Sequence, residues 1–96
     1  MKSNGHILWV DDEIHHLKPH ILYLETKGYR VSTATNGQDA AILNKNNKYD
    51  LILLDQTMPG IDGIDTLKKL KKHRLTIPIV MITKSEDEWL MDEAIS

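Results

Sequence analysis

Cysteine is absent from the 96 residues, which excludes disulfides, thiolate catalysis and cysteine-ligated zinc and fits a reducing, cytoplasmic setting. Also missing is any apolar stretch near the roughly 18 residues of a membrane span, and no signal-peptide pattern opens the chain, so no membrane association is expected. Repeats, low-complexity tracts and linker-like segments are lacking too, which leaves one small domain over residues 1–96 as the expected organisation. Charge of one sign is scarce: 12 Lys and Arg against 14 Asp and Glu leave a net charge of -2. That is too little to recruit nucleic acid through bulk electrostatics. A chain of this length can bury a core, but it lies near the size where stability becomes marginal.

What is present is organised around Leu51-Ile52-Leu53-Leu54-Asp55, an apolar run of strand length ending in a carboxylate and followed by the turn signal Met58-Pro59-Gly60. A run without polar alternation reads as a central strand of a parallel sheet covered on both faces. His6-Ile7-Leu8-Trp9-Val10 is a second such run, and it ends in Asp11-Asp12-Glu13. Open α/β sheets bind ligands at the carboxyl ends of their strands, so these carboxylates are expected to share one crevice.

The rest of the chain alternates helix and strand. Ile14, Leu17, Ile21 and Leu24 recur at helical spacing up to Gly28, with Pro19 disturbing the first turn. His16 and His20 lie one turn apart, the spacing of a helical metal pair, but no third ligand accompanies them and with His15 they read as solvent-facing. Tyr29 to Ala34 alternates like an edge strand. Thr35 and Gln38 match a capping box opening a helix to about Asn44, and a polar loop, 44–48, leads to the central strand. Ile64, Leu67 and Leu70 stripe a helix to about His73, whose Lys68, Lys69, Lys71 and Lys72 read as a solvated face rather than a docking patch. Ile77 to Thr83 is a buried strand with Pro78 at its start, and Ser85 with Glu88 would cap a last helix carrying Trp89, Leu90, Met91, Ala94 and Ile95. Four alternations of strand and helix call for a parallel sheet with right-handed crossovers.

Asp11, Asp12 and Asp55 at adjacent strand tips would crowd like charges, a situation relieved by a cation or a bound proton. Carboxylate and carbonyl oxygens suit magnesium, commonly held by one or two carboxylates and a phosphate oxygen. Asp55 is then placed as a nucleophile toward phosphorus, with Thr83 at the next strand tip able to donate to a phosphoryl oxygen. Any one of these residues alone would be an ordinary polar cap on a strand end. Thr57, two residues after Asp55, stands where dehalogenase-type phosphatases carry an acidic proton donor, which disfavours a turnover phosphatase.

Val10-Asp11-Asp12-Glu13, Leu54-Asp55-Gln56-Thr57-Met58-Pro59-Gly60 and Ile82-Thr83 together resemble the receiver domain of bacterial two-component response regulators. The resemblance implies a CheY-like, flavodoxin-like three-layer α/β/α fold with strand order 2-1-3-4, the chain ending inside a fourth helix before strand 5 and helix 5. It implies a signalling phosphoacceptor rather than a turnover enzyme: Asp55 takes a phosphoryl group from a sensor histidine kinase or phosphotransfer protein. Asp12, Asp55 and the Thr57 carbonyl would bind Mg2+ directly, Asp11 through water, and Thr83 would be the switch hydroxyl. An output domain or downstream protein is expected beyond Ser96. Within the family, Trp9 to Glu13, Leu17 to His20 and Met81 to Glu86 are similar to PorX-type regulators of Bacteroidetes, which join a receiver to a phosphatase-like output linked to type IX secretion.

Lys84, where the family usually has a small residue, departs from the pattern, and the family's phosphate-binding lysine and switch aromatic have no counterpart before Ser96. A pseudo-receiver acting only as an interaction surface is the alternative, opposed by the presence of all three carboxylates and Thr83. Without a fifth strand, the outer edge of Ile77 to Ile82 is expected to be bare and to promote a dimer, or exchange of the last helix.

Overall fold

Uninterrupted apolar runs become the middle of the sheet. The computed structural model describes residues 4–56, 63–72, 77–82 and 89–90. In it β1 (Gly5–Val10), β2 (Tyr29–Ala34), β3 (Leu51–Asp55), β4 (Ile79–Ile82) and β5 (Trp89–Leu90) lie in the order β2-β1-β3-β4-β5. The first four are parallel, as their alternation with α1 (Lys18–Thr26), α2 (Gly37–Asn46) and α3 (Gly63–Lys71) requires. The expected 2-1-3-4 order is therefore present.

Register concentrates the core. Leu8, Ile52 and Ile79 form one rung across β1, β3 and β4, and Val10, Leu54 and Met81 form another two residues on. All six are fully buried beneath Ala40 of α2 and Leu67 and Leu70 of α3. Burial of each such side chain is worth about 1.5–3 kcal/mol. The other face is less well covered, because α1 has no buried residue. Trp9, Leu53 and Ile82 line an apolar groove there, about 550 Å³ in volume, with Leu17, Tyr23 and Leu24.

Helix ends show where local chemistry decides. Ile14–Leu17 is a 3-10 turn, and Pro19 falls in the first turn of α1, where its missing N–H has no intrahelical acceptor to lose. Gly28 ends this stretch at φ +91 and donates its N–H to the Glu25 carbonyl at 3.0 Å. A Cβ at Gly28 would stand 2.7 Å from Asn4 Nδ2, the movable end of an exposed side chain, so the need for glycine here lies in its dihedral.

Three local expectations are corrected. The N-cap of α2 is Asn36, not Thr35: the Asp39 N–H donates to Asn36 Oδ1 at 2.8 Å, and Asn36 Nδ2 donates to Asp39 Oδ2 at 3.0 Å. The cap is moved by one residue from the expected Thr35 and Gln38, and only one of its two bonds is side chain to backbone, the other joining the two side chains. The helix also runs to Asn46 instead of yielding to a loop at Asn44, because Asn44 is buried and its Nδ2 donates to the Leu70 carbonyl at 3.2 Å. That bond serves a carbonyl in the last turn of α3, which has no intrahelical donor.

The third correction concerns Trp89 and Leu90, expected in a helix. They form β5, antiparallel to β4, with Ile82 opposite Trp89 and Met81 opposite Leu90. Over Met81 and Ile82 the edge of β4 is thus not bare. Its free donors and acceptors are a template for pairing, which Trp89, a residue of high strand preference, and the adjoining Leu90 take up. The Ser85 and Glu88 capping box, Lys84, His73 and the residues after Leu90 lie outside the described residues.

At the amino ends of the strands, away from the carboxylates, His6 and Asp50 clamp β1 to the start of β3. The His6 N–H donates to Asp50 Oδ2 and the Asp50 N–H to the His6 carbonyl, each at 2.8 Å. The His6 ring lies 2.7 Å from Ser32 Oγ through Nε2 and 4.6 Å from the Tyr49 ring. Burial lowers the His6 pKa, Arg30 lowers it further, and Asp50 partly opposes them. The folded chain therefore prefers neutral imidazole, while the unfolded chain takes up a proton near about pH 6.5. This contribution is complete above about pH 6.5 and is lost as pH falls toward the lowered folded value. Urea midpoints at pH 7.5 and 5.5 should fall more for the native chain than for His6→Gln; equal falls would place the proton uptake elsewhere.

Candidate functional site

The site is built where β1 and β3 end side by side. Val10 pairs with Leu54, so the next residues, Asp11 and Asp55, leave the sheet at the same level on strands about 4.8 Å apart. The Asp11 N–H donates to the Ala34 carbonyl at 3.0 Å, continuing the β1–β2 ladder by one residue. Asp11 Oδ1 then accepts the Glu13 N–H at 2.8 Å. This turn, closed by the aspartate's own carboxylate, bends the chain immediately after the strand. Asp12 is carried into the crevice by that bend.

Asp55 is 2% exposed, held between β1 and the tip of β4. It pairs with Ile82 in register, and the following Gln56 N–H donates to the Ile82 carbonyl at 2.9 Å. Asp11 and Asp12 are partly buried. One carboxylate oxygen from each of Asp11, Asp12 and Asp55 lies within 4.8 Å of the others. The three carboxylates therefore share one crevice, as their positions at the strand ends predict.

An all-oxygen donor set of three carboxylates matches a hard divalent cation better than zinc or copper, which favour nitrogen and sulfur. Magnesium holds its ligands at about 2.0–2.1 Å, so two oxygens on one ion stand about 3–4 Å apart. The 4.8 Å outer limit fits direct contact by part of the cluster and a water-mediated contact by the rest. The residues present therefore suit Mg2+. Thr57 and Thr83, the other expected site residues, lie outside the described residues, as does Met58-Pro59-Gly60.

The histidines do not join this cluster. His15, His16 and His20 are exposed; His16 Nδ1 lies 3.2 Å from Glu13 Oε2, and the His20 ring meets Trp9 edge-on at 6.4 Å. Among the described residues, the aspartates alone form a group of three metal-type ligands. Sequence reasoning missed two backbone parts of the site, the Glu13 N–H and the Ala34 carbonyl, which aim Asp11. The first had a visible signal, an aspartate two residues before the donor; the second depends on the β1–β2 register and had none.

Comparison with known proteins agrees with this geometry. A model of the response regulator receiver domain matches residues 7–96. The alkaline phosphatase synthesis transcriptional regulatory protein PhoP of Bacillus subtilis is 40% identical over 86 residues, covering 90% of this chain and 36% of the relative. The transcriptional regulatory protein SrrA of Staphylococcus aureus is 40% identical over 85 residues, covering 88% and 35%. The chain thus spans about a third of the length of these curated relatives. Among solved structures, a CheY-like receiver domain protein from Methanospirillum hungatei superposes with a TM-score of 0.79 at 31% identity, covering 84% of this chain and 65% of that one. The response regulator TrrA of Thermotoga maritima, solved in complex with Mg(2+)-BeF, gives 0.77 at 33% identity, covering 84% and 70%.

Proposed function

The chain belongs to the response regulator receiver family, and from that premise we propose that Asp55 is its phosphoacceptor, served by Mg2+ on Asp12 and Asp55 with Asp11 behind a water. Receivers of this family take phosphate from histidine kinases and are linked to output domains; they are signalling domains rather than turnover enzymes. The observation that carries the reading here is the convergence of three carboxylates within 4.8 Å, one of them almost fully buried at a strand tip.

The chemistry follows from the placement. An Asp55 oxygen attacks phosphorus of a phosphohistidine on the donor protein; the new O–P bond forms as the N–P bond breaks, and the donor imidazole leaves with the electron pair and takes a proton from water. Asp12 and Asp55 would hold the ion, which when bound would offset the carboxylate charge and that of the incoming phosphoryl oxygens. Asp11, fixed by the Glu13 N–H, orients a water toward the same centre. In this reading the Thr57 carbonyl is the third protein ligand and the Thr83 hydroxyl moves to the phosphoryl group.

What the longer protein does with the signal is a further part of the proposal. The wording of residues 9–13, 17–20 and 81–86 supports a PorX-type output, whereas PhoP and SrrA are named as transcriptional regulators.

Calorimetric titration with magnesium tests the site. Asp12→Asn should weaken binding at least about tenfold, because it removes a charged ligand while keeping the side-chain shape. Equal affinity in both proteins would show that the ion binds elsewhere.

A further inference from the structure

One edge of the sheet stays open. Among the described residues β2 pairs only with β1. It is six residues long, contains no proline or lysine, and has Arg30 as its one charge. Natural edge strands are usually shortened, charged or covered. Here the neighbouring helices instead put apolar side chains beside the edge: Leu22 of α1 on one face and Ile42 of α2 on the other, each 59% exposed. Two grooves follow from this, sharing Thr33. One, about 410 Å³, is lined by Lys18, Ile21, Leu22 and Glu25; the other, about 360 Å³, by Asp39, Ile42 and Leu43.

The charges beside the edge are arranged symmetrically. On α1, Lys18 precedes Leu22 by four residues and Glu25 follows it by three, with both lining the groove. On α2, Asp39 precedes Ile42 by three and Lys45 follows by three. Each helix therefore carries opposite charges on either side of an apolar centre, a pattern complementary to its own antiparallel copy. The midpoints also coincide. From the turn joining α1 to β2, the middle of α1 lies back by about 7 Å at 1.5 Å per residue and the middle of β2 lies back by about 8 Å. From the turn joining β2 to α2, the two middles are likewise about 8 Å back. One two-fold axis through the centre of β2 serves all three elements.

We propose that two copies of this chain associate through antiparallel pairing of their β2 edges, extending the sheet across the axis. Leu22 meets Leu22 on one face and Ile42 meets Ile42 on the other. Lys18 of each copy faces Glu25 of its mate, and Asp39 faces Lys45. Such an interface is isologous and closes at two copies. It does not use Asp11, Asp12 or Asp55 or depend on phosphoryl transfer.

Sedimentation velocity over about two decades of concentration, up to the millimolar range, should show monomer passing to dimer, with the transition displaced to higher concentration by salt. Lys18→Glu or Glu25→Lys alone should raise the dimer Kd about tenfold, since symmetry places each pair twice and a reversal substitutes repulsion for attraction. The double swap, Lys18→Glu with Glu25→Lys, should return Kd to within about threefold of the native value. Amide exchange over residues 29–34 should slow as concentration rises. Circular dichroism of each variant separates loss of the dimer from loss of the fold. A chain monomeric throughout, single reversals without effect, a folded double swap that stays weak, or β2 amides indifferent to concentration would each overturn the proposal.

Discussion

Incubated with acetyl phosphate and magnesium, the native chain should gain one phosphoryl group, and Asp55→Asn should cut incorporation by at least about a hundredfold. The amide is nearly isosteric with the carboxylate but has no anionic oxygen to attack phosphorus. Unfolding does not explain such a loss, because the substitution removes one of three crowded like charges and so relieves repulsion at the site. A urea midpoint at or above the native value should accompany it. Chelation of magnesium should suppress labelling of the native chain as well, since a phosphoryl group brings up to about two further negative charges into a pocket already lined by carboxylates. Intact-mass spectrometry reads both effects. Labelling of Asp55→Asn at the native rate would transfer the acceptor role to Asp11, Asp12 or a residue outside the cluster.

The second large effect is on stability. Ile52→Ala should cost about 2–5 kcal/mol. Ile52 is fully buried in β3, level with Leu8 on one side and Ile79 on the other, so little can move in to fill the space. At about 4–8 °C per kcal/mol for a domain of this size, the midpoint of thermal unfolding should fall by roughly 8–40 °C. Leu22→Ala, removing a side chain 59% exposed, should stay within about 0.5 kcal/mol under dilute conditions. A difference of less than 1 kcal/mol between the two variants would contradict the placement of the core on the face covered by α2 and α3.

The strands were legible because burial on both faces leaves continuous apolar runs, and Leu51 to Asp55 reads the same in sequence and structure. Asp11, Asp12 and Asp55 were legible because each terminates or follows such a run, and parallel pairing brings those ends together. The start of α2 was not, since Thr35 and Asn36 can both cap a helix. The choice between them lies in the extended backbone of Asn36, at φ -157 and ψ 166, and in which side chain reaches an open N–H. Asn44 misled in the same way: a polar residue in a polar stretch reads as loop, and only the position of the Leu70 carbonyl turns it into a buried tie between helices. Trp89 and Leu90 read, with Met91, Ala94 and Ile95, as the apolar side of a helix, and the free edge of β4 outweighs that pattern for the two of them. His6 and Asp50 gave no signal because their partnership spans 44 positions of chain.

The unequal covering of the two sheet faces has a kinetic counterpart. The side on which α2 and α3 lie holds two rungs of fully buried side chains, whereas α1 contributes none of its residues to the buried set. Opening free energies in a folded protein scale with the apolar contact that must be given up. The amides of α1 should therefore exchange with solvent through a partial opening well below the energy of global unfolding, while those of β1 and β3 exchange only when the whole sheet comes apart. Asp55 ends β3 and Asp11 follows β1 with its N–H on the Ala34 carbonyl, so the backbone under two of the three carboxylates stays in place when α1 opens, and the Glu13 N–H that Asp11 Oδ1 accepts, just before Ile14–Leu17, is the tie between the site and that helical stretch.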